Sequence, residues 1–280
     1  KTLFNVVSKS GATAETMAQY LIVRDAVEKA VGPEHARGHF LFTTDPVGGA
    51  LRRIGEAEEI PMLPIPENVG GRFSVLSSVG LFPAAVCGVD PGALLAGAAA
   101  MEGRCRSGRL AENPAGVLAT LLHDADRAQG RSVHVLMPYS DRLRSVALWF
   151  QQLWAESLGK ARNLDGLQTP TGPTPVAALG ASDQHSFLQL LMEGPDDKVV
   201  LFVEVEDHGV DALIPKRHPE MSEFAYLGGH SLGDLMNTER RATAEALRRS
   251  GRPSATFHMP RISPETLGQL LMLLQLATVY

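Results

Sequence analysis

The chain has 280 residues, 44% of them hydrophobic, a formal net charge of −5 and two cysteines. The length suits two domains or one large one, and the mild negative charge argues against a dedicated binder of nucleic acid or of another polyanion. Two cysteines give neither a disulfide framework nor a metal-ligand spacing, and this low count fits a reducing cytoplasm. Because Cys87 falls in an apolar segment, we expect it to be a buried core residue.

The two ends of the chain are unusual for a complete protein. The sequence has no recognisable signal peptide and no apolar run long enough to cross a membrane. It opens almost at once on an apolar strand, TLFNVV, and closes on a strongly apolar helix, PETLGQLLMLLQLATVY, which lacks a capping glycine and a basic last turn. We therefore expect a fragment of a longer protein, trimmed at both ends.

Apolar strands alternate with helices along the chain. The predicted strands are residues 2–7, 39–44, 59–64, 132–138, 199–205 and 254–260. The predicted helices are residues 13–31, 47–55, 93–105, 114–129, 141–160 and 233–251, with further helices that open near Ser74, at His185 and at Pro264. This alternation predicts an α/β fold in which mostly parallel sheets are covered by helices on both faces.

The strand–helix rhythm restarts near residue 113, after the segment GRCRSGRLAENPAG. We therefore predict two units, residues 1–112 and 113–280. The Pro-, Gly- and Thr-rich segment 161–175 is predicted to be a loop that interrupts the second unit.

The stretch SKSGATAET places hydroxyl groups and a lysine between the first strand and the first helix. In open α/β sheets, ligands bind beyond the carboxyl ends of the strands, where a helix N-terminus offers free N–H groups to an anion. The hydroxyls of Ser8, Ser10 and Thr13 would add donors to such a phosphate site. Neither GxxxxGK[ST] nor GxGxxG is present, which favours a phosphorylated small molecule over a nucleotide. The alternatives are an ordinary helix N-cap for the hydroxyls and a solvated surface position for Lys9.

The stretch ENVGGRFSVLSSVGLFP puts Arg72 directly after two glycines, beside a predicted helix N-terminus. A guanidinium group donates in a planar fork and stays protonated, so it suits a developing oxyanion or a phosphate. The alternative is a Gly-Gly turn with an arginine salt bridge.

The stretch QQLWAESLGK puts Glu156 late in an amphipathic helix, one turn after Gln152 and close to Trp154 and Leu158. A carboxylate that apolar neighbours partly desolvate can act as a general base. The alternative is a surface glutamate near a helix end.

The stretch GASDQHSFLQLLMEGP puts His185 at the start of a helix that Ser182 or Asp183 can cap. The apolar face of this helix is predicted to consist of Phe187, Leu188, Leu191 and Met192. The helix dipole disfavours a charged imidazole, and a neutral imidazole can pass protons to and from ring or carbonyl oxygens. The alternative is a histidine bonded to backbone near the cap. The histidines form no metal-ligand pattern such as HExxH.

In this order, the four stretches resemble the glucose-6-phosphate isomerase family, and the resemblance covers nearly the whole chain. It is closest to the shorter bacterial forms. It implies two sugar-isomerase (SIS) domains, each a parallel sheet flanked by helices, with residues 1–112 as the C-terminal part of the first and 113–280 as the second without its tail. It also implies an aldose–ketose isomerase of glycolysis and gluconeogenesis that needs no metal or redox cofactor.

The resemblance carries roles onto individual residues. Ser8, Lys9, Ser10 and Thr13 match the phosphate-binding loop, while Gly71 and Gln152 are expected to bind substrate. Arg72 matches the arginine that stabilises the enediol(ate), and Glu156 matches the base that moves a proton between C1 and C2. His185 matches the histidine that helps to open the sugar ring. In the family this histidine comes from the partner subunit, which implies a homodimer.

Two family features should lie outside the sequence: a Gly- and Ser-rich loop before residue 1, and a lysine after the last helix. Three alternatives to a simple isomerase stay open. They are a dual phosphoglucose/phosphomannose isomerase, the isomerase half of a bifunctional fusion, and a SIS-domain module that senses a sugar phosphate without turning it over.

Overall fold

The computed structural model describes residues 2–280 as two compact units, one ending at Gly92 and the other formed by Ala93–Tyr280. The division between these units lies before residue 112. Whether the SIS domains themselves divide at residue 112 stays a prediction.

The first unit is a small parallel sheet with helices. Its strands, in the order β1-β2-β3, are β1 Phe4–Val7, β2 Phe40–Thr44 and β3 Met62–Pro64. Its helices are α1 Ala14–Val31, α2 Pro33–Ala36, α3 Ala50–Glu58 and α4 Ser78–Val86, with a 3₁₀ helix at Gly71–Leu76. Every residue of the central strand β2 is buried, as expected for a parallel strand covered on both faces. Phe40 and Phe42 pack against Tyr20 of α1 and Leu51 of α3, which holds both helices on the sheet.

The second unit is built on a four-stranded parallel sheet in the order β7-β4-β8-β9. Its strands are β4 Val133–Pro138, β5 Lys160–Arg162, β6 Gln168–Thr171, β7 Thr174–Ala177, β8 Lys198–Asp207 and β9 Ser254–Arg261. Its helices are α5, which begins just before the unit at Pro91 and ends at Arg104, α6 Pro114–Arg127, α7 Arg144–Leu158, α8 Gln184–Glu193, α9 Ser222–Ala225, α10 Leu232–Arg249 and α11 Pro264–Val279. The predicted α/β class with mostly parallel sheets is confirmed.

Helix α5 packs closely on α11 through two glycines. A Cβ atom on Gly97 would lie 1.9 Å from the carbonyl oxygen of Glu265, and one on Gly268 would lie 2.0 Å from the carbonyl oxygen of Leu94. This backbone-to-backbone contact places α5 in the second compact unit.

The prediction of a loop over 161–175 is wrong in part. Strands β5 and β6 form an antiparallel hairpin there, and β7 begins at Thr174 and pairs with β4. The prolines of this segment suggested a loop, but β7 lies at the end of the described sheet, and an edge strand tolerates a residue without an N–H group such as Pro175.

Two local predictions near residue 80 also need correction. The helix expected near Ser74 begins as the 3₁₀ helix Gly71–Leu76, and α4 starts only at Ser78, where the hydroxyl of Ser77 accepts the N–H of Val79. Cys87 is exposed rather than buried. It follows the last turn of α4, a helix whose apolar sequence is nowhere fully buried within its own unit.

Candidate functional site

Ser8 ties the loop after β1 to the sheet and to the start of α1. Its N–H donates to the carbonyl of Thr43 at 3.1 Å, and its carbonyl accepts the hydroxyl of Thr44 at 2.7 Å. Its Oγ accepts the N–H of Gly11 at 3.1 Å and lies 3.0 Å from Oγ1 of Thr13. Because Ser8 is buried and these partners surround it, its main contribution in this structure is to shape the loop.

The same loop lies against the N-terminus of α3. Gly11 has a φ of +63°, and a Cβ atom there would lie 2.7 Å from the backbone nitrogen of Leu51 and 2.9 Å from that of Ala50. Gly49 has a φ of +98°, and its Cβ would lie 2.7 Å from the carbonyl oxygen of Ser10. Neither α1 nor α3 has a side-chain N-cap hydrogen bond. Two helix N-termini, whose N–H groups favour an anion, therefore meet at this loop.

A cavity of about 680 Å³ opens at this point. Its lining is small and polar and consists of Lys9, Ser10, Thr13, Asp45, Gly48, Gly49 and Gly71. Three of the four predicted phosphate-binding residues line it, together with Gly71, whereas Ser8 lies beneath it.

Lys9 joins the loop between β1 and α1 to the segment that leads to Arg72. Its Nζ donates to the carbonyl oxygens of Pro66 at 3.3 Å, Glu67 at 2.8 Å and Val69 at 2.7 Å. These partners are neutral, so they hold the ammonium group at the cavity without cancelling its charge. Lys9 is thus more than a solvated surface lysine.

Asp45 is a cavity residue that the sequence analysis missed. Its carboxylate accepts the N–H groups of Val47 at 2.9 Å and Gly48 at 3.1 Å. These hydrogen bonds, helped by the charge of Lys9, hold the pKa of Asp45 below its usual value. The carboxylate shapes the turn that leads into α3. The only signal in the sequence is the turn-forming stretch DPVGG, which is typical of an Asp side chain bonded to its own turn.

Arg72 lies in the 3₁₀ helix that follows the cavity residue Gly71. It is half-buried, and its guanidinium carbon lies 5.6 Å from the centre of the Phe73 ring. The hydroxyl of Ser74 donates to the carbonyl of Gly71 at 2.6 Å and tightens this turn. Gly71 thus lines the cavity, and Arg72 is the next residue of the 3₁₀ helix.

Glu156 lies in the last turn of α7, where Nε2 of Gln152 donates to its Oε1 at 3.1 Å. Both side chains are exposed. Trp154 faces the opposite way, into the core, and its Nε1 donates to Nδ1 of His134 at 3.0 Å. The expected desolvation of Glu156 by Trp154 and Leu158 is therefore not found in this unit.

His185 is the second residue of α8 and is exposed, whereas the turn before it is firmly held. Asp183 does not cap the helix. Its Oδ2 accepts the N–H of Leu179 at 2.7 Å, and its Oδ1 accepts the hydroxyl of Ser186 at 3.1 Å. The predicted apolar face is confirmed, because it packs into the core of the unit through Phe187, Leu188, Leu191 and Met192.

Beneath this turn lies Tyr139, whose ring is fully buried and whose hydroxyl donates to Oε1 of Gln184 at 2.6 Å. Burial raises the pKa of Tyr139 to about 12, so this hydroxyl remains a donor at physiological pH. A Cβ atom on Gly180 would lie 2.3 Å from the Tyr139 ring, which explains the glycine in GASDQH.

Glu156 and His185 lie at opposite ends of the strands of the sheet. Gly159, just after α7, contacts Gly172, and the N–H of Thr174 donates to the carbonyl of Ser132, so α7 ends where β4 and β7 begin. The turn before His185 lies beyond the other end of β7. The four residues of β7, at about 3.3 Å each, place about 13 Å between the two ends of this strand. One chain therefore does not bring these two side chains together.

Two further structural findings concern the described residues. Within 2–280, no group of three or more His, Cys, Asp and Glu side chains is arranged to hold a metal ion. In the same part of the chain, no helix has both the length and the apolar character needed to cross a membrane.

The family model described as phosphoglucose isomerase matches residues 1–279. The chain is 49% identical over 278 residues to the glucose-6-phosphate isomerase of Rubrobacter xylanophilus, in a match that covers 99% of this chain and 62% of that protein. It is 46% identical over 275 residues to the enzyme of the same name from Carboxydothermus hydrogenoformans, and this match covers 98% of this chain and 59% of the relative. The chain thus spans about three fifths of the length of these curated relatives.

Two solved structures share the fold. A hypothetical protein from Thermus thermophilus matches with a TM-score of 0.92 and 41% identity over 99% of this chain and 65% of its own. A glucose-6-phosphate isomerase from Chlamydia trachomatis matches with a TM-score of 0.85 and 26% identity over 99% of this chain and 54% of its own. With a family model that extends over nearly the whole sequence, these similarities establish that the chain belongs to the phosphoglucose isomerase family.

Proposed function

We propose that the gene product carrying this chain is a cytoplasmic enzyme that interconverts glucose 6-phosphate and fructose 6-phosphate through a cis-enediol intermediate. Membership of the phosphoglucose isomerase family supports this reaction. The structural observation that supports it best is the polar cavity at two helix N-termini, which Lys9, Ser10, Thr13 and Gly71 line together.

In this proposal the cavity binds the 6-phosphate. The hydroxyls of Ser10 and Thr13 donate to the phosphate oxygens, the ammonium group of Lys9 offsets their charge, and Ser8 holds the loop from below. Phosphate binding far from the reacting carbons fixes the register of the sugar, so binding energy is used to orient C1 and C2.

The proton transfer is assigned to Glu156. Its carboxylate removes the proton from the carbon next to the carbonyl group, and an enediol forms as the carbonyl oxygen gains a proton. The same carboxylic acid then returns its proton to the neighbouring carbon, which was the carbonyl carbon. The hydroxyl group on the other carbon releases its proton and becomes the new carbonyl, which balances the proton that the first oxygen gained. Gln152 orients Glu156 through their hydrogen bond of 3.1 Å, while Arg72 stabilises the negative charge on the enediol oxygens. Atoms and electrons balance without a metal or a redox cofactor.

Ring opening is assigned to His185 of the partner subunit in a homodimer. Glu156 and His185 lie at opposite ends of the strands of one sheet, so a site that uses both side chains needs two copies of the chain. His185 is exposed on a well-held turn, as a residue that serves a neighbouring subunit would be. There the imidazole would move a proton between the ring oxygen and solvent.

A coupled assay of glucose 6-phosphate formation from fructose 6-phosphate tests the activity. We expect Glu156→Gln to lower kcat by at least about a thousandfold, because the base is lost while the shape is kept. Glu193→Gln is the matched control, since Glu193 also ends an exposed helical turn and accepts a hydrogen bond from the glutamine four residues earlier. Equal activity of both variants would contradict the assignment. Turnover of mannose 6-phosphate in the same assay would identify a dual isomerase.

A mixing experiment tests the shared site. Glu156→Gln and His185→Ala chains are each expected to be nearly inactive alone. Random exchange of subunits yields hybrid dimers with one intact site, which should restore about a quarter of the wild-type activity. No recovery after exchange has been verified by mass spectrometry would contradict the contribution of His185 across the interface.

A further inference from the structure

Tyr139 is a buried polar residue to which the proposed reaction gives no role. It directly follows β4, and its N–H donates to the carbonyl of Val203 at 2.9 Å. Its ring packs edge-on against Phe202, with ring centres 5.9 Å apart, and the whole side chain is buried. Phenylalanine would fill the same space, so the hydroxyl group is the part of the residue that core packing does not explain.

The hydroxyl of Tyr139 contacts the residue next to His185. It donates to Oε1 of Gln184 at 2.6 Å, and it also forms a hydrogen bond with the side chain of Thr243 in α10. Gln184 is the first residue of α8 and His185 is the second. Because Thr243 is buried as well, this hydroxyl ties the start of α8 to the interior of the unit.

The ring of Tyr139 supports the same turn from below. Gly180 lies directly on the ring, and its N–H donates to the carbonyl of Pro138 at 2.9 Å. The carboxylate of Asp183 holds the turn from within, as described above. The backbone that carries His185 is thus fixed from several sides, although the imidazole itself is exposed. This arrangement is typical of a side chain whose position matters more than its own packing.

We propose that Tyr139 is a positioning residue for ring opening, which holds the start of α8 so that the imidazole of His185 meets the sugar in one place. This inference rests on the proposed function, because it takes His185 as the group that opens the ring. Tyr139 is buried and does not reach the sugar, so it acts through Gln184 and His185. A misplacement of about 1 Å at a reacting group can cost about a hundredfold in rate.

Tyr139→Phe tests this role, because it keeps the ring and removes the hydrogen bond to Gln184. In D₂O, we expect the variant to incorporate deuterium at C1 of fructose 6-phosphate at least about tenfold more slowly than the wild type. Tyr20→Phe is the matched control. Tyr20 is buried in the core of the first unit, and its hydroxyl also has a side-chain partner, Arg24. This control should stay within about twofold of the wild-type rate, and equal slowing in both variants would overturn the proposal.

A sugar that cannot close its ring separates positioning from a general loss of structure. 5-Deoxyfructose 6-phosphate lacks the hydroxyl that forms the furanose ring, so its carbonyl group is open from the start and ring opening is not needed. Tyr139→Phe should exchange the C1 protons of this substrate within about twofold of the wild-type rate. A damaged fold would slow both sugars alike, and that result would overturn the proposal.

A second background tests whether Tyr139 acts through the imidazole. Added to His185→Ala, the Tyr139→Phe change should slow exchange with fructose 6-phosphate by less than about twofold, because there is no imidazole left to position. A further tenfold loss would overturn the proposal.

Gln184→Met breaks the same hydrogen bond from the other side, so the test does not depend on the folding of Tyr139→Phe. It should slow exchange with fructose 6-phosphate and spare 5-deoxyfructose 6-phosphate in the same way. If the wild-type gene product shows no exchange with either sugar, the proposed function fails and the role of Tyr139 fails with it. Normal exchange in the wild type with unchanged rates in Tyr139→Phe and Gln184→Met would overturn the role of Tyr139 alone.

Discussion

Replacing Gly11 with alanine should destabilise the loop between β1 and α1 more than adding a methyl group at any other position of that loop. The residue has a φ of +63°, a conformation that costs an L residue about 1–2 kcal/mol. The new Cβ would lie 2.7 Å and 2.9 Å from backbone nitrogens of α3, which no side-chain rotation relieves. Overpacking of this kind costs about 1–3 kcal/mol, so the free energy of unfolding of the first unit should fall by about 2–5 kcal/mol. The loop must move away from α3, and phosphate binding should weaken with it.

Gly48→Ala is the matched control, because Gly48 lines the same cavity but a Cβ atom there would meet nothing within 4 Å. Its effect on the free energy of unfolding should stay within about 0.5 kcal/mol. Urea unfolding followed by circular dichroism measures stability, and calorimetric titration with glucose 6-phosphate measures binding. If Gly11→Ala and Gly48→Ala behave alike in both experiments, the packing of the loop against α3 is not what shapes the site.

Two further predictions concern the second unit. Burial lowers the pKa of His134 to about 4, so the unfolded chain binds a proton that the folded chain does not, and acidification from pH 7 to pH 4 should remove up to about 3 kcal/mol of stability. Urea unfolding at both pH values measures this loss, and His134→Asn should make the free energy of unfolding depend less on pH. A pH dependence that is the same in this variant as in the wild type would refute the assignment to His134. Gly97→Ala would put a Cβ 1.9 Å from the carbonyl oxygen of Glu265 and should cost about 3 kcal/mol, whereas Gly103→Ala on the same helix meets nothing and should gain about 0.5–1 kcal/mol. Thermal unfolding of both variants decides, and equal midpoints would contradict the close packing of α5 on α11.

The long apolar strands and the periodic helices were predictable because local pattern and tertiary position agree. Residues 40–42 of β2 and 199–203 of β8 are apolar runs on strands that lie in the middle of their sheets, and all of these residues are buried. Segment 161–175 was mispredicted because its prolines and glycines indicate turns, while its place at a sheet edge allows strand pairing. The prediction that Cys87 is buried was wrong for the converse reason. An apolar sequence indicates that a segment can be buried, but it does not show which neighbouring element covers each residue.

The candidate site was predictable in its parts and less so in its arrangement. The position of SKSGATAET after a strand was enough to predict a polar loop at the N-terminus of α1. The second helix N-terminus at this loop, that of α3, was not predicted, because only the folded chain brings Gly49 next to Ser10. The role of Asp45 depends on a turn that brings its carboxylate back to its own backbone, which composition does not reveal. The separation of Glu156 from His185 follows from the direction of α7 and the pairing of β7, and so could be seen only once the sheet order was known.

The measurement that tests the central claim most directly is solvent exchange at C1 of fructose 6-phosphate, followed by NMR in D₂O with the gene product that carries this chain. Enolisation by a base at Glu156 predicts deuterium at C1 of fructose 6-phosphate and at C2 of the glucose 6-phosphate formed, in wild type and in Glu193→Gln, and none in Glu156→Gln. Binding of fructose 6-phosphate without any incorporation in the wild-type protein would contradict the isomerase and indicate a sugar-phosphate sensor instead.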